Sequence, residues 1–278
     1  MKFIDIHSHL TESRFNGQDA PHRSDIIREM AQQEIATISI GTDWQESQKA
    51  VALARGFDNV YASVGQHPVD NKTEEFDEKN YRKLIGANRE RIVCIGECGL
   101  DYYWPGKDVE SDALSPEEFE TEKQRQRDLF IQQIDLAVEL DLPLMLHVRS
   151  HEHADAHHDT LRILAFKEGE HGQKLQANFH FFTEKPDIAQ TIVERGYTVS
   201  FPGVITFANL DETIACVPIE QIMSETDSPY AAPVPHRGKS ATPLMVPLVV
   251  EKIATVKKMD IEEARQQLLA NAQKFFRI

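Results

Sequence analysis

Two rhythms of apolar and polar positions take turns along this chain. Short runs rich in β-branched and aromatic residues predict strands at about 3–9, 35–41, 60–66, 91–98, 143–148, 175–182, 197–201 and 220–226. Between them, longer stretches with apolar residues at helical spacing predict helices at about 22–34, 44–56, 77–89, 116–141, 155–168, 185–195, 209–216 and 243–258, and the tail 260–276 reads as one more. Ser115-Pro116-Glu117-Glu118 combines an N-cap, a proline at the first helical position and a glutamate at the third, and Asp260 is placed to cap the last helix. Eight repeats of strand then helix predict an α/β fold, a (β/α)8 TIM barrel built as one domain over residues 1–278. No Gly-x-Gly-x-x-Gly follows the first strand, which removes the usual dinucleotide-binding alternative.

A parallel barrel gathers the C-terminal ends of its strands on one face, where barrel enzymes keep their active sites. Five predicted strands end in metal-ligating residues: His7 and His9, Glu97, His147, His180 and Asp227. Each alone has a plain structural reading, as a hydrogen-bonded core histidine, a buried Glu–Arg pair or a turn cap. Together, six such residues on five strand ends predict a two-metal hydrolase centre. His7 and His9 are two apart on a strand and share a face. By strand parity with Val93 and Ile95, Glu97 is expected to point into the barrel, with Cys94 and Cys98 toward the helices. Its two oxygens suit a bridge between ions, because a buried carboxylate is costly unless paired or bound to a cation.

Charge narrows the partners. A formal charge of −15 and a pI near 5.2 leave no basic stripe of the kind non-specific nucleic-acid binders use, so a binding-only nucleic-acid protein is disfavoured. No apolar run approaches the roughly 18 residues of a membrane span. The chain enters a ligand-bearing strand at once, so no signal peptide is read there. Three cysteines are too few and too odd in number for a disulfide framework, and the expected compartment is the cytoplasm. No membrane association and no obligate protein partner is expected.

Several segments bear a closer resemblance: Asp5-Ile6-His7-Ser8-His9-Leu10, Gly65-Gln66-His67-Pro68, Gly96-Glu97-Cys98-Gly99-Leu100-Asp101-Tyr102, His147-Val148-Arg149, and Glu225-Thr226-Asp227-Ser228-Pro229-Tyr230 through Pro233-Val234-Pro235-His236-Arg237-Gly238-Lys239. On these the chain resembles, from end to end, the TatD family of metal-dependent hydrolases, within the amidohydrolase-like barrel group. The resemblance implies a deoxyribonuclease with two divalent metal ions (zinc, magnesium, manganese or nickel) and allows a third. It implies His7, His9, Glu97, His147, His180 and Asp227 as ligands, Glu97 as the bridge, and Asp227 as the group that orients or deprotonates the attacking water. His67 and Arg149 would hold phosphate oxygens, with Arg237 and Lys239 either further phosphate contacts or solvated loop charges. Glu225 would sit behind the ligands or help bind an extra cation.

The chain departs from the family at His180-Phe181-Phe182-Thr183-Glu184 and at Ser150-His151-Glu152-His153, both beside the site, which bears on substrate more than on chemistry. The expected substrate is small or single-stranded nucleic acid; another ester or amide, or a catalytically silent binding barrel, are the alternatives. Two features stay outside this scheme. The connection from Tyr102 to Leu114, opening Tyr102-Tyr103-Trp104-Pro105-Gly106, is either a lid or substrate wall or a solvated surface excursion, and Tyr102, Tyr103 and Trp104 either stack a base or pack the loop. The histidines His151, His153, His157 and His158 are either a helix-starting segment or an additional metal site.

Overall fold

The computed structural model describes residues 1–17, 21–111, 113–172 and 174–278. Strands β1 (Phe3–Ser8), β2 (Ile35–Ser39), β3 (Val60–Val64), β4 (Ile92–Asp101), β5 (Leu144–Arg149), β6 (Ala177–Phe179), β7 (Thr198–Phe201) and β8 (Ile222–Ser224) lie in chain order, each parallel to the next. The order closes at a β8–β1 seam. There Asp227 N donates to His7 O at 2.9 Å, His9 N to Ser228 O at 2.7 Å, and Thr226 N and Oγ1 to the buried Asp5 carboxylate at 2.8 and 2.6 Å. This is the predicted TIM barrel, and its seam joins the segments that carry His7, His9 and Asp227.

Helices α1 (Arg23–Gln32), α2 (Trp44–Gly56), α3 (Glu78–Ala87), α4 (Tyr103–Glu110), α5 (Pro116–Glu139), α6 (Ala156–His171), α7 (Pro186–Glu194), α8 (Asp211–Cys216), α9 (Val246–Lys257) and α10 (Ile261–Phe276) complete the chain. Ser115 and Glu118 form the expected capping box of α5, and Asp260 Oδ1 accepts from Glu262 N at the start of α10. The 102–114 connection, whose residue 112 lies outside the described residues, holds a helix that the periodicity did not announce. Asp101 Oδ1 starts α4 by accepting from Tyr103 N at 2.9 Å and Trp104 N at 3.2 Å. Pro105 falls in its first turn, where a missing N–H leaves no intrahelical bond unmade. Among the described residues, no helix is long and apolar enough to cross a membrane.

Apolar burial has two layers. The larger lies between strands and helices. The smaller fills the barrel with Ile4, Ile6, Ala36, Ile38, Val93, Cys94, Met145 and Met223, and Ala272 and Phe276 of α10 close it at the strands' N-terminal ends. Asn271 Nδ2 fixes α10 there by donating to Ile219 O and Ile222 O at 2.7 and 2.8 Å. The opposite end stays open.

Simple alternation fails on β1 and β4, which carry the first of the expected ligands. On β4, Val93 and Cys94 both face the barrel interior while Ile95 and Cys98 pack toward the helices, so the expected placing of Cys94 and Ile95 is reversed. The cause is two slips of register, one against β3 beyond Ala62 and one against β5 between Ile95 and Cys98. The second slip re-aims Glu97 inward, as bulges beside active sites do. Gly96 carries it with φ +143°, and a Cβ there would sit 2.4 Å from Met145 O. On β1, Ile4 and Ile6 take the interior positions, and a slip between Asp5 and Ser8 turns His7 inward as well.

Candidate metal centre

All six expected ligands converge at the open end of the barrel, and Glu97 is their hub. Its Oε1 lies 2.9 Å from His147 Nδ1, 2.9 Å from His180 Nε2 and 3.6 Å from His67 Nε2. Its Oε2 lies 3.4 Å from His7 Nε2 and 3.8 Å from His9 Nε2. Asp227 Oδ1 is 3.2 Å from His9 Nε2 and 3.6 Å from His7 Nε2, and the two imidazoles approach to 3.2 Å. Three overlapping groups thus have ligand atoms within 4.8 Å of one another: His7, Glu97 and His180; His7, His9 and Asp227; and His67, Glu97 and His147.

Around this hub stand residues that hold the ligands in place. His147 Nε2 is 2.9 Å from Asp101 Oδ2, and His67 Nδ1 is 2.8 Å from Asp70 Oδ1. Glu225 is fully buried; it accepts from Phe181 N at 2.6 Å and Ser200 Oγ at 2.5 Å, and its Oε1 lies 3.6 Å from His180 Nδ1. Sequence reasoning gave no role to Asp101 or Asp70. Asp101 had a signal, since it stands four residues beyond Glu97 on one strand.

The electrostatics show what this donor set lacks. Burial opposes charge on His147, yet hydrogen bonds to Asp101 and Glu97 push it up to about 9. Burial also disfavours ionised Glu97, but the surrounding imidazoles hold its carboxyl well below the usual range. His7, desolvated and beside His180, falls to about 4. His147 lies between two carboxylate oxygens, so its ring must carry two protons or face a cation on one side. Among the described residues, the buried Nδ1 atoms of His7 and His180 have no hydrogen-bond partner. Nitrogen and oxygen donors at this spacing fit divalent metal ions such as zinc, manganese, nickel or magnesium.

A cavity of about 540 Å³ opens onto the hub, lined by His9, His67, Glu97, His147, Arg149 and Asp227 among others. The Arg149 guanidinium lies 3.7 Å from the Tyr103 ring centroid and 5.5 Å from that of Trp104. Arg237 is not among the lining residues and sits 4.3 Å over the Phe207 ring.

A family model described as TatD related DNase matches residues 4–277. The metal-dependent hydrolase YabD of Bacillus subtilis strain 168 is 31% identical over 278 residues, 99% of each chain. The metal-dependent hydrolase YcfH of Escherichia coli K12 is 38% identical over 224 residues, 80% of this chain and 75% of that one. The chain belongs to the TatD family of metal-dependent hydrolases. Its TatD fold is shared by YjjV, a TatD homolog of Escherichia coli K12, with a TM-score of 0.82 at 24% identity over 100% of this chain and 98% of that one. A TatD family hydrolase from Entamoeba histolytica superposes with a TM-score of 0.78 at 19% identity, over 99% of this chain and 97% of that one. The candidate centre of this TatD-family barrel therefore stands in a chain whose relatives are metal-dependent hydrolases.

Proposed function

We propose that the protein is a deoxyribonuclease that hydrolyses phosphodiester bonds of short or single-stranded nucleic acid at a two-metal centre. The observation that carries this reading is the division of Glu97, one oxygen toward His147 and His180 and the other toward His7 and His9. On it, His7, His9 and Asp227 would hold one divalent ion and His147 and His180 another, with a Glu97 oxygen offered to each group. Divalent ions bound there would lower the pKa of water and neutralise charge on phosphoryl oxygens.

The chain's own groups do the rest. Asp227, at the cavity wall, orients the attacking water and takes its proton. Arg149 and the Nε2 side of His67 receive phosphate oxygens, and Asp70 fixes the His67 ring from behind. Glu225 holds the segment after β6, and with it His180, through Phe181 N.

Single strands are favoured by arginines paired with aromatic rings near the strands' C-terminal ends. Arg149 lies on Tyr103, Arg14 on Tyr230 at 5.5 Å and Arg237 on Phe207 at 4.3 Å. Aromatic faces stack any unpaired base, and the arginines offset a chain of charge −15. The description TatD related DNase supports the same substrate class. The free thiols Cys94, Cys98 and Cys216 fit the proposed cytoplasmic setting.

The test is nucleotide release from a fluorescent single-stranded oligonucleotide by metal-stripped protein resupplied with magnesium, manganese or zinc. Metal-dependent shortening that Asp227→Asn lacks is the expected result. No cleavage with any metal, in protein that binds two ions, removes the nuclease and leaves a hydrolase of another ester or amide.

A further inference from the structure

Outside the barrel mouth, a second group of metal-ligating side chains joins two elements distant in sequence. Glu110 Oε1, on the last residue of α4, lies 2.9 Å from Nε2 of His151, just after β5. Together with Glu152 these residues offer ligand atoms within 4.8 Å of one another. His153 stands beside them, its Nε2 3.1 Å from Glu152 Oε1 and its ring centroid 5.6 Å from that of His151. We propose that Glu110, His151 and Glu152, with His153 as fourth donor, bind a zinc-like divalent ion separate from the catalytic centre and latch α4 to the turn after β5.

Three features distinguish this group from ordinary surface carboxylates. The His151 side chain is only 5% exposed. Its ring occupies the notch left by Gly106 of α4, where a Cβ would sit 2.4 Å from His151 Cγ. The turn behind it is closed in both directions, His151 N to Ala154 O and Ala154 N to His151 O, each at 3.0 Å. A nitrogen donor is thus held in place and aimed at the end of α4. Glu110 also stands at the C-terminal end of its helix, where the helix dipole disfavours negative charge unless a cation accompanies it. Lys107 supplies one now, with Nζ 2.5 Å from Glu110 Oε2. A bound ion would take that place. Imidazole with carboxylates suits zinc or nickel better than magnesium, which prefers all-oxygen shells. Because α4 begins with Tyr103 and Trp104 against Arg149, an ion at its far end would steady Arg149, which lines the cavity.

The full-length, metal-stripped protein is titrated with zinc, and bound equivalents are counted by equilibrium dialysis with elemental analysis. The comparison is with the double variant Glu110→Gln/Glu152→Gln and with Lys107→Met, which keeps every donor. The catalytic ligands are common to all three proteins, so differences report the second site alone and stand apart from the nuclease reading. The wild type and Lys107→Met are expected to bind one equivalent more than the double variant, or to bind it at least about tenfold more tightly. Equal stoichiometry and affinity in wild type and double variant overturns the site. Loss of the equivalent in Lys107→Met overturns it too, because binding would then follow the surface of α4 rather than the donors.

Discussion

Asp101 and His147 meet at 2.9 Å, carboxylate Oδ2 to imidazole Nε2, while the other oxygen of Asp101 caps α4. One side chain therefore ties the start of α4 to the candidate metal centre. A carboxylate behind a ligating histidine fixes its tautomer and raises its basicity, and losing it typically costs 10–100-fold in metal affinity.

Asp101→Asn is accordingly expected to weaken metal binding by about 10–100-fold. Turnover at saturating metal should fall much less. Metal-activation curves and direct binding measurements check this; an unchanged activation curve would show that Asp101 serves α4 alone.

Metal should also stabilise the fold. An ion bound by the native state alone adds about 2.7 kcal/mol at a hundredfold excess over its Kd. Thermal unfolding with and without manganese should show this as a rise in midpoint for the wild type. Glu97→Gln, which replaces one oxygen of the hub, should lose most of the rise.

The bulge at Gly96 gives a stability prediction. At φ +143°, with Met145 O 2.4 Å from an added Cβ, Gly96→Ala combines an unfavourable backbone with a clash. It should destabilise by about 2–4 kcal/mol. Gly86 lies in α3 with nothing near a Cβ, so Gly86→Ala should stabilise by about 0.5–1 kcal/mol. Denaturant midpoints for the two variants should move in opposite directions.

The pH dependence of stability should carry a contribution from His157. Burial lowers it from 6.5 to about 4, with Ser150 Oγ 3.0 Å from its Nδ1 and the Phe179 and Phe182 rings nearby. The native state keeps this imidazole neutral while the unfolded chain protonates it first. Stability from this group is therefore full above about 6.5 and falls as pH drops toward 4, by about 3 kcal/mol in all. Unfolding free energies at several pH values should show a shallower acid limb in His157→Gln; parallel curves would assign the acid loss to other groups.

Much of this was legible in the chain. Strand and helix rhythms marked the barrel, because strands buried on both faces leave short continuous apolar runs and helices buried on one face leave a period of 3.6. The capping signals at Ser115 and Asp260 act within one turn and were read correctly. The convergence of His7, His9, Glu97, His147, His180 and Asp227 followed from the ends of parallel strands sharing a face. Parity did not: Cys94 faces the barrel interior and Ile95 the helices, since two one-residue slips in β4 depend on what β3 and β5 offer opposite. The helix α4 was hidden because its cap comes from Asp101, whose other oxygen is engaged across the barrel mouth.

By itself, then, the sequence determined which residue types end the strands and how many strand–helix units must pack, since both are local patterns repeated along the chain. Only the tertiary structure decided which oxygen of Glu97 faces which histidines, that Asp101 and Asp70 stand behind His147 and His67, and that Arg149 lies on Tyr103 while Arg237 lies on Phe207. Those relations arise from strand register and barrel closure, where residues far apart in sequence come within hydrogen-bond reach, and no local periodicity encodes distances across a barrel.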